Sequence, residues 1–146
     1  MREIILMINF MKKKLTASKA PHPIGPYSVA VNYGNLIYTS GQIPLDRQGN
    51  VVGADIKSQT RQTIENLKNI LEENGSSIEQ VIKTTVYLKD ITEFAGMNEV
   101  YNEYFRDSAP ARSTLEAARL PKDVKIEMDI IAYQSDIIPK VPILGK

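Results

Sequence analysis

The stretch VIKTTVYLK at residues 81–89 decides the fold, because the character of its side chains alternates with a period of two. Its even positions hold isoleucine, threonine, valine and leucine, and its odd positions from 83 onward hold lysine, threonine and tyrosine. Successive side chains of a β-strand point to opposite faces, so this stretch predicts a strand with one face in a core. The stretch VKIEMDIIAY at residues 124–133 alternates in the same way and predicts the last strand.

Shorter segments predict the other strands. Residues 27–33 and 36–40 are rich in β-branched and aromatic side chains, and Gly34-Asn35 lies between them. A glycine-containing pair between two such runs is typical of a β-hairpin. Residues 113–118 are a further strand candidate, and the turn chemistry of residues 120–123 separates them from the last strand.

Two segments have apolar side chains at the three- and four-residue spacing typical of helices. The first begins after Asp55, a plausible N-cap, and ends at Asn74-Gly75. The second begins near Asp90 and ends before Pro110, because the residue preceding a proline is disfavoured in a helix. The predicted order is ββαβαββ, which indicates an α/β protein of the two-layer α+β type, a mixed sheet with both helices on one face.

The second face of this sheet has no predicted cover within the chain. An apolar face left in water favours self-association, since each Å² of apolar surface buried contributes roughly 25 cal/mol. The pattern therefore predicts a symmetric homo-oligomer.

Composition excludes several classes of function. The chain of 146 residues contains 0 Cys and 1 His, which excludes disulfides, thiolate nucleophiles and zinc sites built on Cys or several His. The absence of Cys makes a cytoplasmic location the expectation. The formal net charge is +1, but residues 21–136 carry 11 basic and 16 acidic side chains. An acidic domain is a poor partner for phosphate, so nucleic-acid binding is not expected, and no segment predicts a membrane span.

The ends of the chain differ from the rest. The apolar run near the N-terminus precedes Lys12–Lys14, which is the reverse of a signal peptide. We expect Met11 to open the functional protein, and the alternative is an ordered strand formed by residues 4–6. The basic cluster more often aids solubility than contacts nucleic acid.

Four motifs occur together in this sequence. They are GPY at residues 25–27, TSGQIP at 39–44, PARST at 110–114 and RLPKDVKIEMD at 119–129. In this order and spacing they resemble the Rid family, also called the YjgF family, of reactive-intermediate deaminases that act on enamines and imines. The resemblance covers residues 16–134, which divides the chain into an N-terminal extension at 1–15, one domain, and a C-terminal tail at 135–146.

The resemblance implies a chorismate-mutase-like fold and a homotrimer whose sheets line a central barrel, with a cleft at each subunit interface. It implies hydrolysis of 2-imino acids, such as 2-iminobutanoate and 2-iminopropanoate, to 2-oxo acids and ammonia. It implies no cofactor and no metal, which is compatible with a chain that has one His and no Cys.

Two residues carry the implied chemistry. Arg112 matches the family's arginine for the substrate carboxylate, and a guanidinium fork pairs well with a carboxylate. Glu127 matches the acid that would position or deprotonate the attacking water. From the residues alone, a surface ion pair is the favoured interpretation of Arg112, and a solvated strand carboxylate is the usual fate of a residue such as Glu127. Asp129 shares the predicted face of Glu127, and only the resemblance selects between them.

Four more residues match cleft positions of the family: Tyr27, Ser40, Asn98 and Thr114. Thr114 stands where some members of the family carry Cys. Because the family uses this position largely through its backbone, hydrolysis is expected to survive the difference. A packing tyrosine, a strand-end serine and a helix-surface asparagine are the alternatives for the first three. His22, between two prolines, is expected to be a loop residue without a metal.

Two other classes of function stay open from the sequence. The first is a protein that binds small carboxylates without catalysis, because a fold does not fix a function. The second is RNA cleavage with inhibition of translation, against which the acidic domain counts.

Overall fold

The computed structural model describes residues 10–135, which form six strands and two α-helices. The predictions for residues 1–9 and 136–146 lie outside the described residues. The elements in chain order are β1 (Lys13–Leu15), β2 (Ala30–Tyr33), β3 (Leu36–Thr39), α1 (Ile56–Glu72), β4 (Val81–Leu88), α2 (Phe94–Phe105), β5 (Ala111–Glu116) and β6 (Ile126–Tyr133).

The strands form one mixed sheet in the order β1-β2-β3-β6-β4-β5. Only β4 and β5 are parallel among these neighbours, and every other pair is antiparallel. The predicted α+β class and the hairpin of β2 and β3 are confirmed, and Gly34 in the hairpin turn has a φ of 62°. A positive φ of this kind is readily adopted by glycine.

The strand boundaries differ from the predictions at several places. β1 was not predicted, and it exists because Leu15 and the two lysines before it pair with residues 30–32 of β2. Residues 27–29 do not belong to β2, and β5 begins at Ala111, two residues earlier than the pattern predicts. These differences lie in short strands at or next to the sheet edges, where pairing with a distant neighbour decides the boundary.

The first helix begins and buries its apolar side as predicted. The Asp55 carboxylate accepts a hydrogen bond from the Ser58 backbone N–H at 3.0 Å and caps α1. The apolar side chains at the predicted spacing are fully buried: Ile64, Leu67, Ile70 and Leu71. The amphipathic pattern therefore packs α1 onto the sheet.

The sheet has one buried face and one partly exposed face. On the buried face, β4 and β6 contribute Thr84, Val86, Leu88, Ile126, Met128, Ile130 and Ala132. The opposite face, which we call the open face, carries exposed apolar and aromatic side chains, namely Tyr33, Tyr38, Leu115 and Tyr133. Within residues 10–135, neither helix has the length and apolar content that crossing a membrane requires.

Polar side chains on the inner side of α1 hold the connection between β3 and α1. The Asn66 amide donates to the carbonyls of Ile43 and Leu45 at 3.2 and 2.9 Å. Gln59 donates to Gly53 O at 3.0 Å and accepts from the Lys125 backbone N–H at 2.8 Å. These hydrogen bonds satisfy backbone groups of an irregular segment and fix it against the helix.

We expect Asn66→Ala to lower the free energy of unfolding by about 1–3 kcal/mol, because buried carbonyls then lose their donor. Urea denaturation at one protein concentration measures the change. Asn102→Ala, at an exposed position of α2, is the matched control and should stay within about 0.5 kcal/mol. Equal effects at the two positions would contradict this account of the connection.

Candidate active site

A cavity of about 590 Å³ lies where the segment before β2, the segment after β3 and the start of β6 meet. Three of the predicted site residues line it: Tyr27, Ser40 and Glu127. Much of the remaining wall is apolar, from Ile24, Val29, Ile43, Leu45 and three prolines. A largely apolar cavity with few polar groups is the usual form of a small-molecule site.

Glu127 projects from β6 on the open face and is half-buried. Burial raises the pKa of the Glu127 carboxyl above its ordinary value, and the negative charge of Asp129 raises it further. Both causes disfavour the ionised form, the first through lost hydration and the second through repulsion. Of these two carboxylates, Glu127 lines the cavity and Asp129 is not among its lining residues.

Ser40 and Tyr27 also line the cavity. The Ser40 hydroxyl donates to Ser28 O at 2.7 Å, and the Ser40 backbone N–H donates to Val29 O at 2.9 Å. The Ile24 backbone N–H donates to the Tyr27 hydroxyl at 3.4 Å. Because its proton is engaged, the Ser40 hydroxyl offers a ligand an acceptor rather than a donor.

Arg112 lies in a separate group of residues on β5 and α2. Its Nη1 donates to Asn98 Oδ1 at 2.8 Å, and its Cζ lies 4.4 Å from the centroid of Tyr101 and 5.4 Å from that of Phe94. The Tyr101 hydroxyl is in turn hydrogen-bonded to Thr84 Oγ1 at 2.8 Å. The two rings and the amide hold the guanidinium in place.

No carboxylate within residues 10–135 forms an ion pair with Arg112. The alternative of a surface ion pair is therefore wrong for the described part of the chain. A partly buried guanidinium that meets only a neutral amide and two rings keeps its charge available for an anionic ligand.

Thr114 lies on the same face of β5 as Arg112, two residues further along the strand. Its Oγ1 is buried and has no hydrogen-bond partner within the described residues. A buried hydroxyl without a partner is costly, so the Thr114 hydroxyl is free to bind a polar group of a ligand.

The sheet register places the two groups on opposite faces. Arg112 pairs with Thr84, which pairs with Ile130 on the buried face. Glu127 pairs with Tyr87, and the side chain of Tyr87 lies on the open face, where it is partly buried. One chain therefore does not bring Arg112 and Glu127 to a common site.

Sequence reasoning missed the aromatic support of Arg112 as a functional feature. Phe94, Asn98 and Tyr101 follow one another at four- and three-residue spacing on α2, so they share one side of the helix. This spacing was the available signal, although it also fits ordinary core packing. Tyr101 is buried, and burial raises the pKa of its phenol.

His22 is an exposed loop residue that lines the cavity between Pro21 and Pro23. In the described residues, no group of three or more His, Cys, Asp or Glu side chains is arranged to hold a metal ion.

Comparisons with known proteins match this fold and these motifs. The model of the family described as Endoribonuclease L-PSP matches residues 17–134. A RutC family protein of Pyrococcus abyssi is 57% identical over 124 residues, covering 84% of this chain and 98% of the relative. The 2-iminobutanoate/2-iminopropanoate deaminase of Escherichia coli K12 is 46% identical over 127 residues, which cover 85% of this chain and 99% of the relative.

A solved structure is similar over the same region. The crystal structure of Escherichia coli TdcF with bound serine has a TM-score of 0.79 and 42% identity, and covers 84% of this chain and 99% of that chain. The chain therefore belongs to the Rid family, also called the YjgF family, as the motifs indicated.

We expect Asp129→Asn to lower the pKa of the Glu127 carboxyl, because it removes the neighbouring negative charge that raises this pKa. A ¹³C NMR titration of the glutamate side-chain carboxyls, assigned with Glu127→Gln, measures the change. Asp107→Asn removes the same charge at an exposed position outside the cavity and should leave the titration of Glu127 unaltered. An unchanged pKa in Asp129→Asn would contradict the electrostatic account.

Proposed function

We propose that this protein is a homotrimeric hydrolase that converts 2-imino acids, such as 2-iminobutanoate and 2-iminopropanoate, to 2-oxo acids and ammonia. The observation that carries the proposal is the guanidinium of Arg112, which is held by Asn98 and two aromatic rings and has no ion-pair partner within residues 10–135. Relatives named 2-iminobutanoate/2-iminopropanoate deaminase support the reaction class.

In this proposal the substrate carboxylate binds Arg112 through two parallel hydrogen bonds. Asn98 occupies one side of the guanidinium and leaves other N–H groups for the ligand. Thr114 offers a buried hydroxyl that has no hydrogen-bond partner among the described residues. Serine, which is bound in the TdcF structure, carries the same α-carboxylate group as these substrates.

The catalytic carboxylate comes from a second copy of the chain. Because Arg112 and Glu127 lie on opposite faces of one sheet, a common site requires the Arg112 group of one copy to meet the cavity of its neighbour. The exposed side chains of the open face favour such an assembly, since association removes them from water. A closed ring of three copies would contain three such sites.

Hydrolysis then proceeds by proton transfer at Glu127. Water oxygen bonds to C2 of the imine, and ionised Glu127 passes one water proton to the imine nitrogen, which gives a carbinolamine. In the second step Glu127 passes the hydroxyl proton to the same nitrogen, the C=O bond forms, and ammonia leaves as the C–N bond breaks. The carboxylate is ionised again after each step, and we propose that no cofactor takes part.

The burial that raises the pKa of Glu127 suits this role. A base whose pKa lies nearer to neutral accepts a proton from water more readily than an ordinary carboxylate. Activity requires the ionised form, so it should fall as the pH drops below the raised pKa.

We expect Arg112→Ala and Glu127→Gln each to lower kcat/KM by at least about 100-fold. Arg112→Lys should recover only part of the loss, because an ammonium cannot make the two parallel hydrogen bonds. A threonine dehydratase supplies the imine, and the rate of 2-oxobutanoate formation and the yield of semicarbazone are measured. Arg106→Ala, at an exposed arginine after α2, is the control.

An unchanged imine lifetime in the presence of the wild-type protein would contradict the proposed reaction. Tight binding of 2-oxobutanoate without turnover would identify a carboxylate-binding protein instead. RNA cleavage that survives both Arg112→Ala and Glu127→Gln would belong to an unrelated site or to a contaminant.

We expect subunit mixing to restore activity. When equal amounts of Arg112→Ala and Glu127→Gln are unfolded and refolded together, about three quarters of the trimers contain both variants. One of the three clefts in each mixed trimer then pairs an intact Arg112 with an intact Glu127, which predicts about a quarter of wild-type activity. A mixture no more active than either variant refolded alone would contradict a site shared between copies.

A further inference from the structure

Gly41 lies so close to the Glu127 carboxyl that a residue with a side chain would not fit at this position unless the carboxyl moved. A Cβ atom placed on Gly41 would overlap Glu127 Oε1 and would lie 2.9 Å from Cδ and 3.1 Å from Cγ. Gly41 is not among the glycines with positive φ, so its backbone conformation is open to other residues. Glycine is needed here for space and not for conformation.

The backbone around Gly41 is held on both sides. The Ser40 N–H donates to Val29 O at 2.9 Å, and the Gln42 N–H donates to Met128 O at 2.8 Å. The Met128 N–H returns a hydrogen bond to Gln42 O at 3.0 Å, which fastens this segment to β6 directly beside Glu127. A side chain at position 41 would therefore displace the carboxyl rather than the backbone.

We propose that Gly41 is a positioning residue, whose missing side chain lets the Glu127 carboxyl lie against the backbone at the depth that catalysis requires. The inference rests on the proposed hydrolysis for its activity readout, and on the contact alone for its structural readout. A displacement of about 1 Å at a reacting group can lower a rate by about 100-fold. Gly41 would act through Glu127 and has no chemistry of its own.

Because the proposed site consists of two separate groups of residues, a substitution at Gly41 is expected to change one kinetic constant more than the other. In the proposed shared site the carboxylate anchor, Arg112, belongs to the neighbouring copy, whereas the contact of Gly41 with Glu127 lies within one chain and does not include that anchor. Moving the Glu127 carboxyl should therefore leave substrate binding intact and impair the chemical step.

The first test replaces Gly41 with alanine. We expect kcat to fall by about 10- to 100-fold while KM stays within about twofold of the wild-type value. Gly75→Ala is the control, because Gly75 has a φ of 76° and nothing within 4 Å of an added Cβ. This control lowers stability through backbone strain without approaching Glu127, and should leave kcat unchanged. A Gly41→Ala enzyme with wild-type kcat would overturn the proposal.

The second test is a pair of double-mutant cycles. In the Glu127→Asp background the shorter side chain withdraws the carboxyl from position 41, so Gly41→Ala should lower kcat by less than about twofold. In the Glu127→Gln background no base remains to be displaced, and Gly41→Ala should again have little effect. A loss that is the same in all three backgrounds would show that Gly41 acts independently of Glu127, and would overturn the proposal.

A structural readout separates this proposal from the proposed function. In Gly41→Ala the carboxyl is pushed from the backbone towards the cavity, and we expect its pKa to fall as its hydration recovers. A ¹³C NMR titration measures this change whether or not the protein hydrolyses imines. An unchanged pKa would overturn the positioning role, whereas a shifted pKa in a protein without imine hydrolysis would leave the contact established and the reaction rejected.

Discussion

The antiparallel pairing of β4 with β6 is the constraint on which the rest of the structure depends. It sets Thr84 opposite Ile130 and Tyr87 opposite Glu127. Because side chains alternate between faces, a slip of one residue would bury Glu127 against the helices and expose Met128. The fully buried apolar face therefore holds the carboxylate on the open face, where it lines the cavity.

The same register explains why the candidate site is divided. β5 continues the sheet in parallel with β4, and Arg112 takes the face of Thr84, beside the rings of α2. Glu127 takes the opposite face, beside Gly41. The two groups would meet only in an assembly of identical copies, as the proposed function requires. In the proposed trimer, loss of assembly would abolish hydrolysis without unfolding the subunit.

Local patterns predicted most of the fold because they reflect the period of each element. The alternation of β4 and β6 and the apolar stripe of α1 each lie within a continuous stretch, so the sequence reports them directly. β1 has no such pattern, since two of its three residues are lysines, and only pairing with β2 makes it a strand. The motifs predicted Arg112 and Glu127 as site residues, but not the support that Phe94 and Tyr101 give the guanidinium.

The sequence by itself determined the α+β class, the family resemblance and the identities of the proposed anchor and base. It reached this far because periodicity and motifs are properties of short continuous segments. Only the tertiary structure decided that Arg112 and Glu127 face apart, that Gly41 leaves room for the carboxyl, and that burial and Asp129 raise the pKa of Glu127. These features depend on register, contact and solvent exclusion between distant segments, which no local pattern encodes.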